Sequence, residues 1–273
     1  MPVPALVVAA VLGIVEGVTE FLPVSSTGHL IVAGSLLGFR GERAATFEIF
    51  IQVGAILAVI WHYRRVLAEL LGRFAAEPVE RALAINLGVA FLPAACIGLL
   101  LRHWIKANLF NPTTVALAFV IGGVAIMLLE WRRPRVVTTD VYTVGIRQAL
   151  GIGCAQVLAL IPGTSRSAAT ILGGYACGLS RPAATEFSFL LAIPTLVAAA
   201  GYDLYKSRHL FTAADVPLFV VGTAVSFVAA LVVIRGFLRY VQGHTFVAFA
   251  WYRIGFGILI LALAAWQLVA FNG

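Results

Sequence analysis

Residues 16–29 read Glu16-Gly17-Val18-Thr19-Glu20-Phe21-Leu22-Pro23-Val24-Ser25-Ser26-Thr27-Gly28-His29. They lie inside an apolar stretch, residues 3–38, and cut it in two at Pro23-Val24-Ser25-Ser26-Thr27. The second piece, about 27–38, is too short to cross a bilayer, which takes about 20 apolar residues. The pair therefore predicts a re-entrant hairpin that enters the membrane, turns, and leaves on the same side. A non-helical turn at that depth persists only where protein or a water-filled cavity satisfies its backbone. Residues 144–179 repeat the pattern around Pro162-Gly163-Thr164-Ser165-Arg166-Ser167, with a short second piece at 168–179.

The rest of the chain supports a membrane setting. Of 273 residues, 61% are hydrophobic and 11% charged, with a mean hydropathy of +0.99. A soluble domain carries about 25% charged residues. The composition excludes a cytosolic enzyme, a secreted disulfide scaffold and a disordered chain. The pI near 9.8 does not indicate nucleic acid, because the basic residues stand singly between apolar runs. Cys96, Cys154 and Cys177 sit in apolar stretches without a C-x-x-C pattern and read as small hydrophobes. The start of the chain lacks a basic n-region and a small-residue cleavage site, so residues 3–22 read as mature structure.

Full-length apolar runs fall near 45–61, 83–101, 114–130, 187–202, 216–234 and 246–270, separated by arginine-bearing loops that include 62–82. Pro23 finds Pro162 139 residues on, as Ser26 finds Ser165 and Thr46 finds Thr185. The expected fold is an all-α polytopic membrane protein of about ten helices. It forms two inverted repeats, each a re-entrant helix pair followed by three transmembrane spans. One integral membrane domain covers 1–273, with repeat 1 at about 1–131 and repeat 2 at about 140–273. Interrupted helices in inverted repeats build sites near the bilayer midplane.

Charge sets the orientation. Arg64, Arg65, Arg73, Arg81, Arg132, Arg133, Arg135, Arg181, Arg235 and Arg239 fall on one side. Arg40, Arg43, Arg102, Lys106, Lys206 and Arg208 fall on the other. The richer side is cytoplasmic, so both termini and the mouth of the first hairpin face outward.

Charges inside apolar segments are functional candidates. Glu16 and Glu20, four apart, share a helix face, where they suit divalent-cation ligation or general-base work. Ser25, Ser26 and Thr27 open a short helix; hydroxyls and free amides at a helix start make an anion cradle. His29 shares a face with Ser26 and suits activating it, attacking phosphorus, or protonating a leaving group. In the second break, Gly163 permits close backbone approach, and Thr164, Ser165 and Ser167 supply hydroxyls. Arg166 supplies a planar fork for phosphate oxygens, or an ion pair to Glu16 or Glu20. Glu48, Gln52 and Glu186 stay open between a supporting and a packing role. His62, His103, His209 and His244 read as interfacial.

At these residues the sequence resembles the bacterial undecaprenyl-diphosphate phosphatases of the bacitracin-resistance type. The first motif is the run from Glu16 to His29, and the second is Pro162-Gly163-Thr164-Ser165-Arg166-Ser167-Ala168-Ala169-Thr170. Thr46 to Ala58 and Glu186 to Ala192 are also similar; segment 62–82 is the part without a match. The resemblance implies hydrolysis of undecaprenyl diphosphate to undecaprenyl phosphate, which recycles the envelope lipid carrier and protects against bacitracin. It implies re-entrant helices, an outward-facing site in the bacterial cytoplasmic (inner) membrane, and a divalent cation, Mg²⁺ or Ca²⁺. Glu20, Ser26, His29 and Arg166 would form the catalytic core. Glu16, Ser25, Thr27, Gly163, Thr164, Ser165, Ser167 and Thr170 would bind substrate, with Glu16 and Glu20 as metal ligands. Expected partners are the polyprenyl diphosphate and membrane lipids, not nucleic acid, with a homodimer among the states allowed. The competing class is a transporter or flippase for polyprenyl phosphate or another phosphate-bearing anion.

Overall fold

The computed structural model describes residues 4–39, 41–207 and 215–266; Arg40, Arg208 and His209 lie outside them. Among the described residues, eleven α-helices run in chain order. They are α1 (Ala5–Thr19), α2 (Ser26–Leu36), α3 (Glu42–His62), α4 (Arg64–Arg73), α5 (Pro78–Asn108), α6 (Pro112–Arg132), α7 (Ile146–Val157), α8 (Arg166–Ala176), α9 (Arg181–Ser207), α10 (Val216–Gly243) and α11 (Val247–Ala265). Helices α5, α6, α9, α10 and α11 are each long and apolar enough to cross a membrane, and α3 with α4 makes a sixth. These are the six expected spans. The chain is a multi-pass membrane protein.

Local chemistry sets the ends. Pro78 and Pro112 start α5 and α6, where a missing N–H costs nothing. Asn111 caps α6 by accepting from the Thr114 amide at 2.9 Å. The outer surface carries bare aliphatics such as Leu99, Leu100, Ile121 and Val232, as a lipid-facing wall should. All five tryptophans (Trp61, Trp104, Trp131, Trp251 and Trp266) are exposed near helix ends, where an indole meets the headgroup layer.

Segment 62–82 is not only a loop. Helix α4 turns 68° from α3, and only Leu70 of its side chains is fully buried. Arg64, Arg65 and Arg73 stand at its two ends, with Leu67, Leu70 and Leu71 between them. They make an amphipathic helix suited to the membrane surface. That additional helix accounts for eleven rather than about ten.

The two short hairpins correspond closely. Each second helix has 11 residues, follows a serine with positive φ (71° at Ser25, 75° at Ser165), and ends before a left-handed glycine, Gly38 or Gly178. Across the turn the structure therefore pairs Ser25 with Ser165 and Ser26 with Arg166. The alignment of Ser26 with Ser165 is corrected by one residue, because the second break is one residue longer after its proline. The packing exchanges in the same way: α1 lies along α10, and its counterpart α7 lies along α5. Helices α6 and α11 pack on each other, as do α3 and α9.

One ion pair fastens the end of this assembly away from the breaks. Glu130 of α6 accepts a bidentate pair from Arg181 at the start of α9, and the Phe246 amide before α11 at 2.8 Å. Arg181 also donates to the Tyr175 hydroxyl. The Glu130 side chain is buried, so Glu130→Gln leaves a cation without its counter-charge. The expected loss is roughly 2 kcal/mol. In a detergent melting experiment this reads as a midpoint about 5 °C lower.

Candidate active site

The two breaks meet over one helix. An added Cβ at Gly28 would lie 2.3 Å from the Phe119 ring, and one at Gly163 would lie 2.6 Å from the Val115 carbonyl oxygen. Helix α6 is thus the floor for both turns, and glycine lets each backbone reach it. Gly163 also takes φ 92°, which a side chain would resist. The left-handed Ser25 and Ser165 turn the chain sharply into α2 and α8. Strained non-glycine residues of this kind gather at functional sites.

Above this floor, a cavity of about 110 Å³ is lined by Glu20, Ser25, Ser26, Thr27, Gln52, Pro162, Gly163, Ser165 and Arg166, among others. It has room for a few waters or one phosphate group. The Ser26 hydroxyl donates to Glu20 Oε2 at 2.6 Å. Arg166 donates to Glu20 Oε1 at 3.2 Å and to the Ser188 carbonyl at 3.1 Å. Its Nε–H is buried without a hydrogen-bond partner. One carboxylate therefore joins a hydroxyl from the first hairpin to a guanidinium from the second. The first-turn amides of α2 and α8 have no intrahelical acceptor and carry the positive ends of two helix dipoles.

Several expected contacts take other places. Ser167 and Thr170 do not line the cavity. Ser167 donates to the Leu22 carbonyl at 2.7 Å and bonds Ser165, while Thr170 bonds the Arg166 carbonyl and the Ser188 hydroxyl. Both hold the cradle from behind. Thr164 is likewise outside the cavity lining, and Ser165 spends its hydroxyl capping α8 at the Ala168 amide. Ser26 and His29 share a face without bonding. His29 Nδ1–H donates to the Ser25 carbonyl at 2.7 Å, and Nε2 accepts from the Tyr252 hydroxyl at 2.6 Å. Its ring stacks on Phe256 with centroids 4.1 Å apart. Glu16 is buried with Oε1 unpartnered, within electrostatic reach of Glu20, Glu48 and Arg166. Glu48 and Gln52 thus belong with the site; Glu186 neighbours Tyr63 and Asp140 instead.

The sequence profile described as "Bacitracin resistance protein BacA" matches residues 9–259. The chain belongs to this family. Among its curated BacA-type relatives is the undecaprenyl-diphosphatase of Methylococcus capsulatus, 54% identical over 275 residues and covering all of both chains. The undecaprenyl-diphosphatase of Pseudomonas fluorescens is 51% identical over 95% of this chain and 93% of its own. That of Nitrosomonas eutropha is 53% identical, covering 97% and 96%.

One buried arginine of this BacA-family chain lies outside both motifs. Arg253 of α11 is fully buried and faces no carboxylate among its hydrogen-bond partners. It donates to the carbonyls of Ala118 (2.9 Å), Phe119 (3.4 Å), Pro23 (3.2 Å) and Gly163 (3.1 Å). The signal was available: an arginine inside the apolar run 246–270 is an intramembrane charge. Tyr252, beside it, had no such signal.

Proposed function

We propose that this chain hydrolyses undecaprenyl diphosphate to undecaprenyl phosphate and inorganic phosphate, recycling the lipid carrier of envelope polymers and so protecting against bacitracin. The observation that carries the reading is the chain Ser26–Glu20–Arg166, which sets a nucleophile, its proton acceptor and a phosphate-binding cation around one cavity. An anion carrier has no use for a hydroxyl held on a carboxylate. The full-length relatives bearing a phosphatase name favour the hydrolase over the carrier as well.

In this mechanism Arg166 and the uncapped first-turn amides of α2 and α8 hold the terminal phosphate and spread its transition-state charge. The Ser26 oxygen attacks the terminal phosphorus in line, and its proton passes to Glu20. The bond to the bridging oxygen breaks, and undecaprenyl phosphate leaves. Glu20 gives that proton to the leaving oxygen and, a carboxylate again, takes one from the water that attacks the phosphoserine; the bond from Ser26 Oγ to phosphorus breaks, Glu20 reprotonates Ser26, and inorganic phosphate leaves. His29 is the weaker candidate for nucleophile, because both its ring nitrogens are engaged elsewhere; it steadies the Ser25 turn.

A divalent cation fits these residues in a limited way. No group of three or more His, Cys, Asp or Glu residues among the described residues converges to hold one. Mg²⁺, however, is often held by one or two carboxylates plus substrate phosphates. The unpartnered Glu16 suits that part better than Glu20, whose two oxygens serve Ser26 and Arg166. When bound, the cation would neutralise phosphate charge.

The domain is one unit of two inverted repeats, about 1–131 and 140–273, supported by the matched hairpins and the exchanged packing. Membership of the bacitracin-resistance family supports a bacterial cytoplasmic membrane, and the arginine bias supports a site that opens outward. In a cysteine-free background, Ala107→Cys should react with an impermeant maleimide on intact cells, and Ala76→Cys only after lysis. The reverse pattern would invert the topology. Gly41 is unsuited as a reporter because its φ is 88°.

The deciding experiment measures phosphate release from undecaprenyl diphosphate by purified protein, with Mg²⁺ and with EDTA, beside Ser26→Ala. Cation-dependent release lost in the variant supports the reading. No release by folded wild type that still binds labelled undecaprenyl phosphate would favour the carrier.

A further inference from the structure

Arg253 lies on α11, outside both motifs, yet it reaches both breaks. Its side chain crosses α6 where Gly122 leaves room: a Cβ at Gly122 would sit 2.3 Å from Arg253 Nη2. Beyond that gap the guanidinium splits its donors. Nη1 takes the Pro23 carbonyl in the first break, and Nη2 takes the Gly163 carbonyl in the second. Nη2 and Nε also take Ala118 and Phe119 of the floor helix, and the cation lies over the Phe119 ring, 5.2 Å from its centroid. These four carbonyls come from three separate segments of chain.

A buried cation satisfied only by carbonyls is a costly arrangement for stability alone. Apolar residues of similar volume usually serve as well. A planar fork, however, does what no apolar residue can: it fixes carbonyls of separate segments at set distances from one another. Pro23 and Gly163 each stand two residues before the left-handed serine that launches a cradle helix. The separation of the α2 and α8 N-termini is therefore set through one side chain.

We infer that Arg253 is a positioning residue for the phosphate cradle, tying the two breaks so that both helix N-termini and the Ser26–Glu20–Arg166 chain meet one phosphate group. Gly122 is its socket. The inference rests on the phosphatase reading for its consequence, and not for the tie itself.

Two readouts keep the tie and the function apart. Gly122→Ala forces the guanidinium off its carbonyls while leaving the charge in the protein. In hydrogen–deuterium exchange, peptides covering 23–28 and 162–168 should both lose protection, by about ten- to hundredfold, while α5 and α10 do not change. Protection lost at neither break, or at only one, overturns the tie. In hydrolysis assays, Gly122→Ala and Arg253→Met should lower kcat at least about tenfold with a much smaller change in KM. Arg253→Lys should keep more activity than Arg253→Met, because an ammonium still bonds carbonyls. Added guanidinium, and not tetramethylammonium at equal ionic strength, should partly restore Arg253→Ala. Folded Gly122→Ala or Arg253→Met with kcat within about twofold of wild type overturns the positioning role. If folded wild type does not hydrolyse the substrate, the phosphatase reading fails and the exchange result still decides the tie.

Discussion

Arg166→Lys is expected to lower kcat by about 10²–10³ with the fold intact, because it removes a donor set that the developing phosphate charge needs. The guanidinium divides its work among directions that one ammonium cannot cover. One arm meets Glu20 at 3.2 Å, another meets the Ser188 carbonyl at 3.1 Å, and Nε–H is left buried and unpartnered at the cavity. A lysine can keep the charge near Glu20. It cannot also bond Ser188 and present a second N–H to a phosphate oxygen in the same plane. The loss should therefore fall on kcat and on inhibition by inorganic phosphate together. Steady-state kinetics on monodisperse protein checks it. A lysine variant with turnover within about threefold of wild type would mean that Arg166 is chiefly an ion-pair partner of Glu20.

The contacts of Arg166 also mark how far the sequence could be read. The breaks at Pro23 and Pro162 were visible because proline and hydroxyl runs interrupt apolar stretches that are otherwise long enough to span. The candidates they supplied, Glu20, Ser26 and Arg166, do converge. What the sequence hid were partners supplied by backbone. Ser188 holds Arg166 through a carbonyl, and Ser25 holds His29 the same way; a carbonyl has no residue signature. The bracing contacts of Ser167 to the Leu22 carbonyl and of Thr170 to the Ser188 hydroxyl were hidden for a related reason. A hydroxyl beside an anion cradle faces it or braces it according to helix phase, and that phase shifted by one residue where the second break lengthens. Helix α4 was hidden because Arg64, Arg65 and Arg73 bracket its leucines and give the segment the charge of a loop. Arg253 was legible as a lone charge in a span, but its two targets lie 230 and 90 residues away. Only packing brings them to it.

Glu20→Gln is expected to lower kcat by about 10²–10⁴, the range for removal of a general base. The amide keeps the shape of the carboxylate and loses what its neighbours use. In the native site one oxygen receives the Ser26 hydroxyl at 2.6 Å and the other receives Arg166. A glutamine still offers one acceptor oxygen, but its NH₂ must then face either Ser26 or Arg166. Facing Arg166, it sets donor against donor and releases the arm; facing Ser26, it removes the acceptor for the attacking hydroxyl's proton. The same geometry separates base work from metal binding. With both Glu20 oxygens engaged, Glu20→Gln should leave the half-saturating Mg²⁺ concentration within about threefold of wild type while turnover collapses. Glu16→Gln, which removes an unpartnered buried oxygen, should instead raise that concentration by more than about tenfold. A Mg²⁺ titration of the two variants checks both. If excess Mg²⁺ restores turnover to Glu20→Gln, Glu20 is a cation ligand, and the Ser26 proton must leave by another route.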